Sequence, residues 1–407
     1  MRGHRLCQSG GVRILHVSDC YLPRLGGIEV QVADLVRSQS AAGHQVEVAT
    51  ATPGGRVAGV HRIVARLPFD LPVHPRGGRH LLRLMAARRP DVVHVHTGAV
   101  SPFAWMGVRA AVRAGLPVVV TVHSMWDPVT RLLYRVLDAV TGWSRWRVVA
   151  TAVSHAAAVP VRAVTRERVP VDVVSNGLDV SAWRPVAGAP PAARPEGPGG
   201  TEGPGGAAGP GEQVHIVAVG RLAPRKQPVR LLRLLLAARR RVPRHIGMRA
   251  TLVGDGPARG AMERFLRANR MEGWVSLPGR YSRERIREVL DSADVFVAPA
   301  PRESFGIAAL EARAAGVPVV ARTQSGVADF VRPGEEGLLG RTFDELVAAV
   351  ARLATDRALR ERVARHNRDT EPARCAWPAV LDGFDRAYRL AAARVAPAVR
   401  VARDRKG

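Results

Sequence analysis

The chain has 407 residues, 46% of them apolar; one hydrophobic core rarely extends over so long a chain, so two domains are expected. No apolar run is long enough to span a membrane, no signal-peptide pattern follows the basic N-terminus, and the three cysteines lie in neither metal-ligand nor disulfide spacing, so we expect a cytoplasmic protein. The net charge of +26 is nearly all arginine and has no interleaved aromatic residues, which argues against a nucleic-acid partner.

The first half alternates short β-branched runs with longer helical patterns. The predicted strands are Val12–Val17, Val46–Ala49, Val92–His96, Val118–Val122, Val148–Val153 and Val171–Val174. The predicted helices include Glu29–Ala42 and Arg79–Arg88. We assign residues 1–186 to an N-terminal, acceptor-binding domain.

A compositional break follows. In Ala187–Gly211, 21 of 25 residues are Gly, Pro or Ala, and such a segment cannot bury enough apolar surface to offset the entropy cost of ordering it. Residues 187–213 are therefore predicted to be a flexible linker.

The second half repeats the alternation, and residues 214–378 form the predicted C-terminal domain. Its predicted strands are Ile216–Val219, Ala250–Val253, Val275–Leu277, Val295–Ala298 and Val317–Ala321. Its predicted helices include Arg230–Arg241, Ser282–Ser292 and Phe305–Ala315. A last helix, 379–396, is expected to pack back on the N-terminal domain, ahead of a basic disordered tail at 397–407.

Strand–helix alternation in both halves indicates two doubly wound α/β domains, each with a parallel sheet buried on both faces. Ligands of this architecture bind at the carboxyl ends of the strands. Two facing domains would therefore hold the site in the cleft between them, and the loops after the strands are where chemistry is expected.

Three loops of the first half carry candidates. Gly26 and Gly27 precede a helix, where backbone amides can approach a phosphate, although a Gly-Gly turn is a weak signal by itself. His123 ends one predicted strand, and His94 and His96 lie at the end of another. A strand-end histidine is more often a structural residue than a catalytic one, and none of the three has a metal-like partner spacing, so no metal site is predicted.

The first loop of the second half contains Arg221 and Lys226. An arginine fork and a lysine point charge in a Gly/Pro-containing loop suit a diphosphate. An ordinary solvated basic loop is the alternative in a chain so rich in arginine. Lys226 favours the functional interpretation, because Lys406 is the only other lysine.

The sharpest pattern follows the strand that ends at Ala298. Glu303 lies in the loop, Ser304 is predicted to cap the next helix, and Glu311 lies about two turns inside it. The amides of Ser304, Phe305, Gly306 and Ile307 would then form an anion site flanked by two carboxylates that can bind sugar hydroxyls. Capping and solvation of the two glutamates are the plainer alternative.

In order, these features resemble the family 4 glycosyltransferases from Ile14 to about Arg389. The family has a Gly-Gly loop after the first strand, a strand-end histidine, a G-R-L-x-x-x-K loop and two glutamates eight apart around S-F-G. The segment Asn176-Gly177-Leu178-Asp179 is similar to its N-G-x-D motif. The resemblance implies the GT-B fold: two Rossmann-like domains facing across a cleft. Among known enzymes it points to bacterial inositol-phosphate and phosphatidylinositol glycosyltransferases and related mannosyl- and N-acetylglucosaminyltransferases.

The resemblance also implies roles. Arg221 and Lys226 would hold the diphosphate of a UDP- or GDP-linked sugar and stabilise the leaving group, assisted by amides of Gly27 and of the Phe305–Ile307 turn. Glu311 would bind the ribose, Glu303 the transferred sugar, and His123 would lie near its anomeric centre. The family retains anomeric configuration through a front-face displacement, and commonly uses neither metal nor cofactor.

One loop departs from the family pattern. Where G-G-x-P-E is usual, this chain has Ser325-Gly326-Val327-Ala328-Asp329, which we expect to alter acceptor or sugar recognition without changing the assignment. The basic segments Arg76–Arg89 and Arg131–Arg147 favour a phosphorylated or membrane-borne acceptor in glycan or glycolipid biosynthesis, with peripheral contact at the inner face of an anionic membrane.

Three alternatives to a glycosyltransferase remain open. One is a sugar-nucleotide epimerase or phosphorylase on the same architecture. Another is a non-enzymatic basic protein that binds lipid or nucleic acid, for which a single charged face would be expected. The third is an inactive glycosyltransferase that serves as a scaffold.

Overall fold

A computed structural model describes residues 11–24, 26–65, 74–184 and 213–395. The chain divides into two compact units: the residues up to Gly177 together with those from Pro378 onward, and Leu178–Trp377. Apart from Gln213, the predicted linker lies outside the described residues, as does the predicted basic tail. None of the described helices is long and apolar enough to cross a lipid bilayer.

The first unit is built on a seven-stranded sheet in which every neighbouring pair is parallel, in the order β3-β2-β1-β4-β5-β6-β7. Its strands are β1 (Arg13–Ser18), β2 (Gln45–Thr50), β3 (Val60–Arg62), β4 (Val92–Thr97), β5 (Val118–Val122), β6 (Val148–Ala152) and β7 (Val171–Val173). The residues of β4, β5 and β6 are all buried, as expected for strands covered on both faces.

Six described helices belong to this unit. They are α1 (Gly27–Ala41), α2 (Gly77–Arg88), α3 (Pro102–Arg113), α4 (Pro128–Thr141), α5 (His155–Thr165) and the last helix, α12 (Trp377–Val395), which enters the unit at Pro378. Helix α12 packs on the sheet through Phe384 and Tyr388: the His94 ring lies 4.8 Å from Phe384, and Tyr388 is fully buried. The first unit is therefore assembled from both ends of the chain.

The second unit contains a six-stranded parallel sheet in the order β10-β9-β8-β11-β12-β13. Its strands are β8 (Gln213–Val219), β9 (Gly247–Val253), β10 (Val275–Gly279), β11 (Val295–Ala298), β12 (Val319–Arg322) and β13 (Gly337–Gly340). Its helices are α6 (Pro228–Arg241), α7 (Arg259–Ala268), α8 (Arg283–Asp291), α9 (Ile307–Ala314), α10 (Phe343–Thr355) and α11 (Arg357–Asp369). Apolar side chains of α6 and α10 pack with β8, β9 and β11 into one large core.

Two parallel-sheet α/β units confirm the predicted fold class. Two strands were not predicted. Strand β3 has only three residues, two of them His and Arg, and β13 is half glycine, so neither forms an apolar run. Helix α9 was predicted to start at Phe305, but it starts at Ile307.

Candidate active site

Two of the predicted site residues of the second unit touch. The Lys226 ammonium donates to the Glu303 carboxylate at 2.5 Å, and both side chains are partly buried. Lys226 ends the short turn Pro224–Lys226 after β8, and Glu303 lies in the loop after β11. Because β8 and β11 are neighbours in the sheet, the loops that follow them emerge side by side at its carboxyl edge.

Arg221 lies in the same loop as Lys226 with its side chain exposed. Glycines of the neighbouring loop hold the Arg221 backbone in place. A Cβ on Gly254 (φ +140°) would lie 1.9 Å from the Gly220 carbonyl oxygen, and one on Gly256 (φ +158°) would lie 2.6 Å from that of Leu222. The Leu222 amide also donates to the Asp255 carbonyl at 3.0 Å. The sequence assigned this Gly-Asp-Gly turn no chemistry, and its role is to support the arginine loop.

The turn after β11 differs in detail from its prediction. Helix α9 begins at Ile307 with Gly306 as its N-cap in the left-handed conformation (φ +91°), and no side chain caps it. The prediction that Ser304 caps this helix was therefore wrong: the chain makes one more turn, which glycine allows, before the helix starts. The first amides of α9 have no partner within the helix, which suits an anion.

Glu311 lies one turn into α9, rather than two, because the helix starts later than predicted. Its side chain is buried. The turn and α9 carry all five predicted donor residues of this segment, from Ser304 to Ile307 and Glu311, directly after Glu303.

The loop that departs from the family pattern, residues 325–329, packs against this turn. The Gly326 amide donates to the Glu303 carbonyl at 2.9 Å, and a Cβ on Gly326 would lie 2.1 Å from the Ser304 carbonyl oxygen. Ser325 is buried, and its hydroxyl donates to the Arg322 carbonyl at 2.7 Å. Close packing therefore requires glycine at position 326. The Ser325 hydroxyl is used in a hydrogen bond within its own loop.

Two further cations were missed by sequence reasoning. Arg230 and Arg322 line the same recess as Lys226, together with Pro299 and Phe343. Among the described residues, the buried Arg322 guanidinium donates only to backbone carbonyls, those of Pro299 at 3.2 Å and of Arg341 at 2.6 Å. Burial lowers its pKa, as does the neighbouring charge of Arg230. The signal was present, since Arg322 directly follows a predicted strand, but abundant arginine concealed it.

In the first unit, the Gly-Gly turn begins α1. Gly26 is the N-cap in an extended conformation, and a Cβ there would lie 2.3 Å from a carboxylate oxygen of Glu29. Glu29 also pairs with Arg24, at 3.3 Å. The Glu29 carboxylate therefore already lies at the start of this helix. A phosphate that bound the amides of Gly26 and Gly27 would come close to it.

His123 directly follows β5 and is the partly buried end of a chain of otherwise buried hydrogen bonds. Its Nε2 lies 3.0 Å from His96 Nδ1, His96 Nε2 lies 2.8 Å from His16 Nδ1, and His16 Nε2 lies 2.8 Å from Gln39 Oε1. His16 was not singled out from the sequence. It faces His94 across the β1–β4 pair, so that only the strand order brings the histidines together.

The same glutamine begins a second arm. Gln39 Nε2 donates to the Tyr388 hydroxyl at 2.8 Å, which lies 2.8 Å from His94 Nδ1. His94 Nε2 lies 2.6 Å from Thr121 Oγ1. We call these two arms, from His123 through Gln39 to Thr121, the histidine chain.

Burial keeps the histidine chain neutral. It lowers the pKa of His16 and of His123 to about 4, and that of His94 and His96 well below the usual value. The charges that the other histidines of the chain would carry lower the pKa of His94 and His96 further. At neutral pH each ring therefore has one donor and one acceptor nitrogen.

Family models cover most of the chain. Residues 25–182 match the model described as Glycosyltransferase Family 4, and residues 207–370 match Glycosyl transferases group 1. The chain is a family 4 glycosyltransferase. The predicted family and the predicted enzyme class are thereby confirmed.

Curated relatives match the glycosyltransferase over almost its whole length. A GDP-mannose-dependent alpha-mannosyltransferase of Mycobacterium tuberculosis is 28% identical, over 91% of this chain and 95% of the relative. A GDP-mannose-dependent alpha-(1-6)-phosphatidylinositol monomannoside mannosyltransferase of the same organism is 27% identical, over 90% and 95%. A D-inositol 3-phosphate glycosyltransferase of Rhodococcus erythropolis is 28% identical, over 94% and 87%.

Solved structures place the glycosyltransferase in the GT-B fold. Sucrose-phosphate synthase from Thermosynechococcus elongatus has a TM-score of 0.71 at 18% identity, over 92% of this chain and 98% of that one. HepE of Anabaena, solved with UDP and glucose, has a TM-score of 0.68 at 18% identity, over the same shares. These likenesses establish the fold.

Two groups of side chains in the described part of the glycosyltransferase come close enough to share a metal ion: His16, His94 and His96, and Glu335, Glu336 and His366. In the first group, all six ring nitrogens already have hydrogen-bond partners. In the second, Glu336 is held by the arginines Arg313 and Arg332. Both arrangements are accounted for by hydrogen bonds and ion pairs.

Proposed function

We propose that this glycosyltransferase is retaining, and that it moves a hexose or N-acetylhexosamine from a nucleotide-diphosphate sugar to an acceptor hydroxyl. One observation carries the proposal: Lys226 and Glu303 meet at the carboxyl edge of a parallel sheet, beside the N-terminus of helix α9. A cation for the phosphates and a carboxylate for sugar hydroxyls are thus side by side.

The diphosphate would lie on the basic side of this pair. Arg221 and Lys226 bind it and stabilise the negative charge that develops on the leaving group, helped by amides of Gly27 and of the Phe305–Ile307 turn. We add Arg322, because it is buried at the same recess and its acceptors in the part of the chain that the structure describes are neutral carbonyls. With these cations in place, the reaction needs no metal ion, and we propose none.

The acidic residues would bind the hydroxyls of the ribose and of the transferred sugar. Glu311, buried one turn into α9, binds the ribose hydroxyls, while Glu303 binds the transferred sugar. His123 contributes from the first unit, where its ring ends the histidine chain.

The relatives favour a guanine nucleotide and a polar, inositol-type acceptor. Two of them are named for GDP-mannose, one also for a phosphatidylinositol mannoside, and another for D-inositol 3-phosphate. We therefore propose GDP-mannose as the first donor to test, and a phosphorylated or membrane-borne acceptor. Three buried polar atoms without a partner among the described residues, on Asp19, Ser124 and Trp126, lie in the loops after β1 and β5 and are suited to acceptor hydroxyls.

The test is stabilisation by ligands, followed by turnover. GDP, UDP, ADP and TDP are compared by thermal unfolding at one common concentration, about 100 times the dissociation constant of the nucleotide that binds most tightly. The correct nucleotide should raise the free energy of unfolding by about 2.7 kcal/mol. Glu311→Ala is expected to abolish the shift, and the exposed-site substitution Glu335→Ala to keep it.

Turnover then separates the alternatives. Transfer of labelled mannose to an inositol-type acceptor, with nucleoside diphosphate released, supports the proposal. Conversion of the sugar nucleotide without an acceptor would identify an epimerase, and binding without turnover would identify a scaffold. Absence of any nucleotide shift, with salt-sensitive binding to nucleic acid or lipid, would contradict the proposed function.

A further inference from the structure

Helix α4 presents an apolar stripe to solvent. The stripe consists of Val129, Leu132, Leu133, Val136 and Val140, with exposed fractions from 48% for Leu133 to 79% for Val140. The spacing of three and four residues places all five on one side of the helix. Its buried residues, Thr130 and Tyr134, lie on another side.

This arrangement is the reverse of an ordinary surface helix, which buries its apolar stripe against the core. Ten large apolar side chains are exposed among the described residues, and five of them belong to this helix. A contiguous patch of this kind marks an interaction surface.

Cations border the stripe. The exposed Arg135 lies along one edge of it, next to Leu132, the partly buried Arg131 lies farther round the helix, and the exposed Arg145 and Arg147 follow the helix. None of the four makes an ion pair with any described residue. The nearby acids are occupied, since Asp127 accepts from the Thr130 amide at 2.8 Å and Asp138 from the amide and hydroxyl of Ser144 at 2.8 and 2.9 Å.

We propose that α4 docks on an anionic phospholipid bilayer. The stripe would lie at the boundary of headgroups and acyl chains, and the arginines would contact lipid phosphates, as in interfacial amphipathic helices. A second copy of the chain fits less well, because a two-fold interface would bring the same unpaired arginines against each other. The loop 124–127 joins His123 directly to α4, so docking would bring the strand end of His123 to the membrane surface. That last step rests on the proposed function, but docking itself does not.

Vesicle flotation tests the docking. Wild-type protein is expected to bind vesicles that contain phosphatidylglycerol and not to bind vesicles of pure phosphatidylcholine. Arg135→Gln/Arg145→Gln should weaken binding about 30-fold, and Leu132→Gln/Leu133→Gln/Val136→Gln should abolish it. Two matched controls, Arg240→Gln/Arg244→Gln and Leu390→Gln, change exposed residues elsewhere and should bind as wild type.

Three results would overturn the docking proposal. They are equal binding to neutral vesicles, wild-type binding by the stripe variant, and a concentration-dependent dimer that the stripe variant abolishes. The stripe variant should retain nucleotide-induced stabilisation and transfer to a water-soluble acceptor. Failure of membrane docking is thereby distinguished from failure of the proposed function.

A second inference comes from the direction of the histidine chain. Gln39 Oε1 can only accept, so His16 Nε2 donates to it and His16 Nδ1 must accept from His96. His96 Nδ1 is then an acceptor, and His123 Nε2 donates to it. The remaining nitrogen of His123, Nδ1, is left as an acceptor.

We infer that Gln39 is a positioning residue that fixes the tautomer of His123. A single amide, held on its other side by Tyr388, sets the proton on His123 Nε2 through two intervening rings. His123 Nδ1 can then accept a hydrogen bond from a donor-sugar hydroxyl, a step that rests on the proposed function.

Histidine nitrogen NMR reads the tautomer directly. With His123 assigned by His123→Gln, the wild-type spectrum should show a proton on Nε2 and none on Nδ1. Gln39→Leu should give a mixture of tautomers and lower kcat about tenfold with donor KM unchanged. Gln39→Glu keeps the acceptor and should restore the wild-type tautomer. A wild-type proton on Nδ1, or an unchanged tautomer in Gln39→Leu, would refute the inference whatever the enzyme transfers.

Discussion

Lys226→Ala is expected to lower kcat/KM for the nucleotide sugar by about 10²–10³, the range found when one preorganised donor to a developing charge is removed. Lys226 reaches the site from the turn after β8 and already contacts Glu303. Its loss removes a cation from the proposed leaving group and leaves the Glu303 carboxylate unpaired. Steady-state kinetics with varied donor measures the effect.

The control lies one residue away. Arg225 is exposed and makes no ion pair with any described residue, so Arg225→Ala should change kcat/KM by less than about twofold, since surface substitutions away from a site have small effects. Both variants should unfold at the wild-type denaturant midpoint. If Lys226→Ala retained more than a third of wild-type kcat/KM, Lys226 would not stabilise the leaving group.

Glu336→Ala is expected to destabilise the second unit by about 3–5 kcal/mol, the usual result of removing one partner of a buried ion pair. The Glu336 and Arg313 side chains are 2% and 4% exposed, with 3.3 Å between their charged atoms. Arg332 also contacts Glu336, at 2.6 Å. Removal of the carboxylate leaves the Arg313 guanidinium buried without its counter-charge. Urea unfolding monitored by circular dichroism measures the loss.

The adjacent carboxylate is a matched control, because Glu335 pairs with Arg332 at the surface. Glu335→Ala should cost less than about 1 kcal/mol, as exposed pairs do. Equal losses in the free energy of unfolding would show that the buried ion pair stabilises the fold no more than the exposed one.

Acid should reproduce part of this effect. Burial alone would raise the pKa of Glu336, but hydrogen bonds from the Arg332 side chain and backbone, with the charge of Arg313, lower it from 4.5 to about 2. A carboxyl group with a depressed native pKa stabilises the fold above its unfolded pKa. The contribution of Glu336 is therefore fully present above pH 4.5 and is lost as pH falls towards 2, a loss that Glu336→Ala should not show.

The sequence predicted the sheets well and the contacts between their loops less well. Buried parallel strands such as β5 and β11 are continuous β-branched runs, and both were predicted with their observed bounds. The Lys226–Glu303 pair follows from strand order, since β8 and β11 are neighbours. The order was not available from either segment alone, so the pair was predicted as two residues of one site and not as a contact.

The histidine chain was out of reach for the same reason. It requires β1 to lie beside β4, α1 to supply Gln39 and the last helix to supply Tyr388, and no local pattern encodes those distances. The start of α9 failed on a local detail: a left-handed glycine at position 306 adds a turn that a Ser-x-x cap pattern does not anticipate.

The position of Tyr388 has a consequence for biosynthesis. The last helix completes the first unit. During synthesis the first seven strands therefore leave the ribosome long before Tyr388, the hydrogen-bond partner of Gln39 and His94. At about 5–20 residues per second, that interval is roughly 10–40 s. During it the nascent unit has a gap over its sheet and two buried polar groups without their partner, while the second unit can already fold. The N-terminal half of this enzyme is thus made first and finished last.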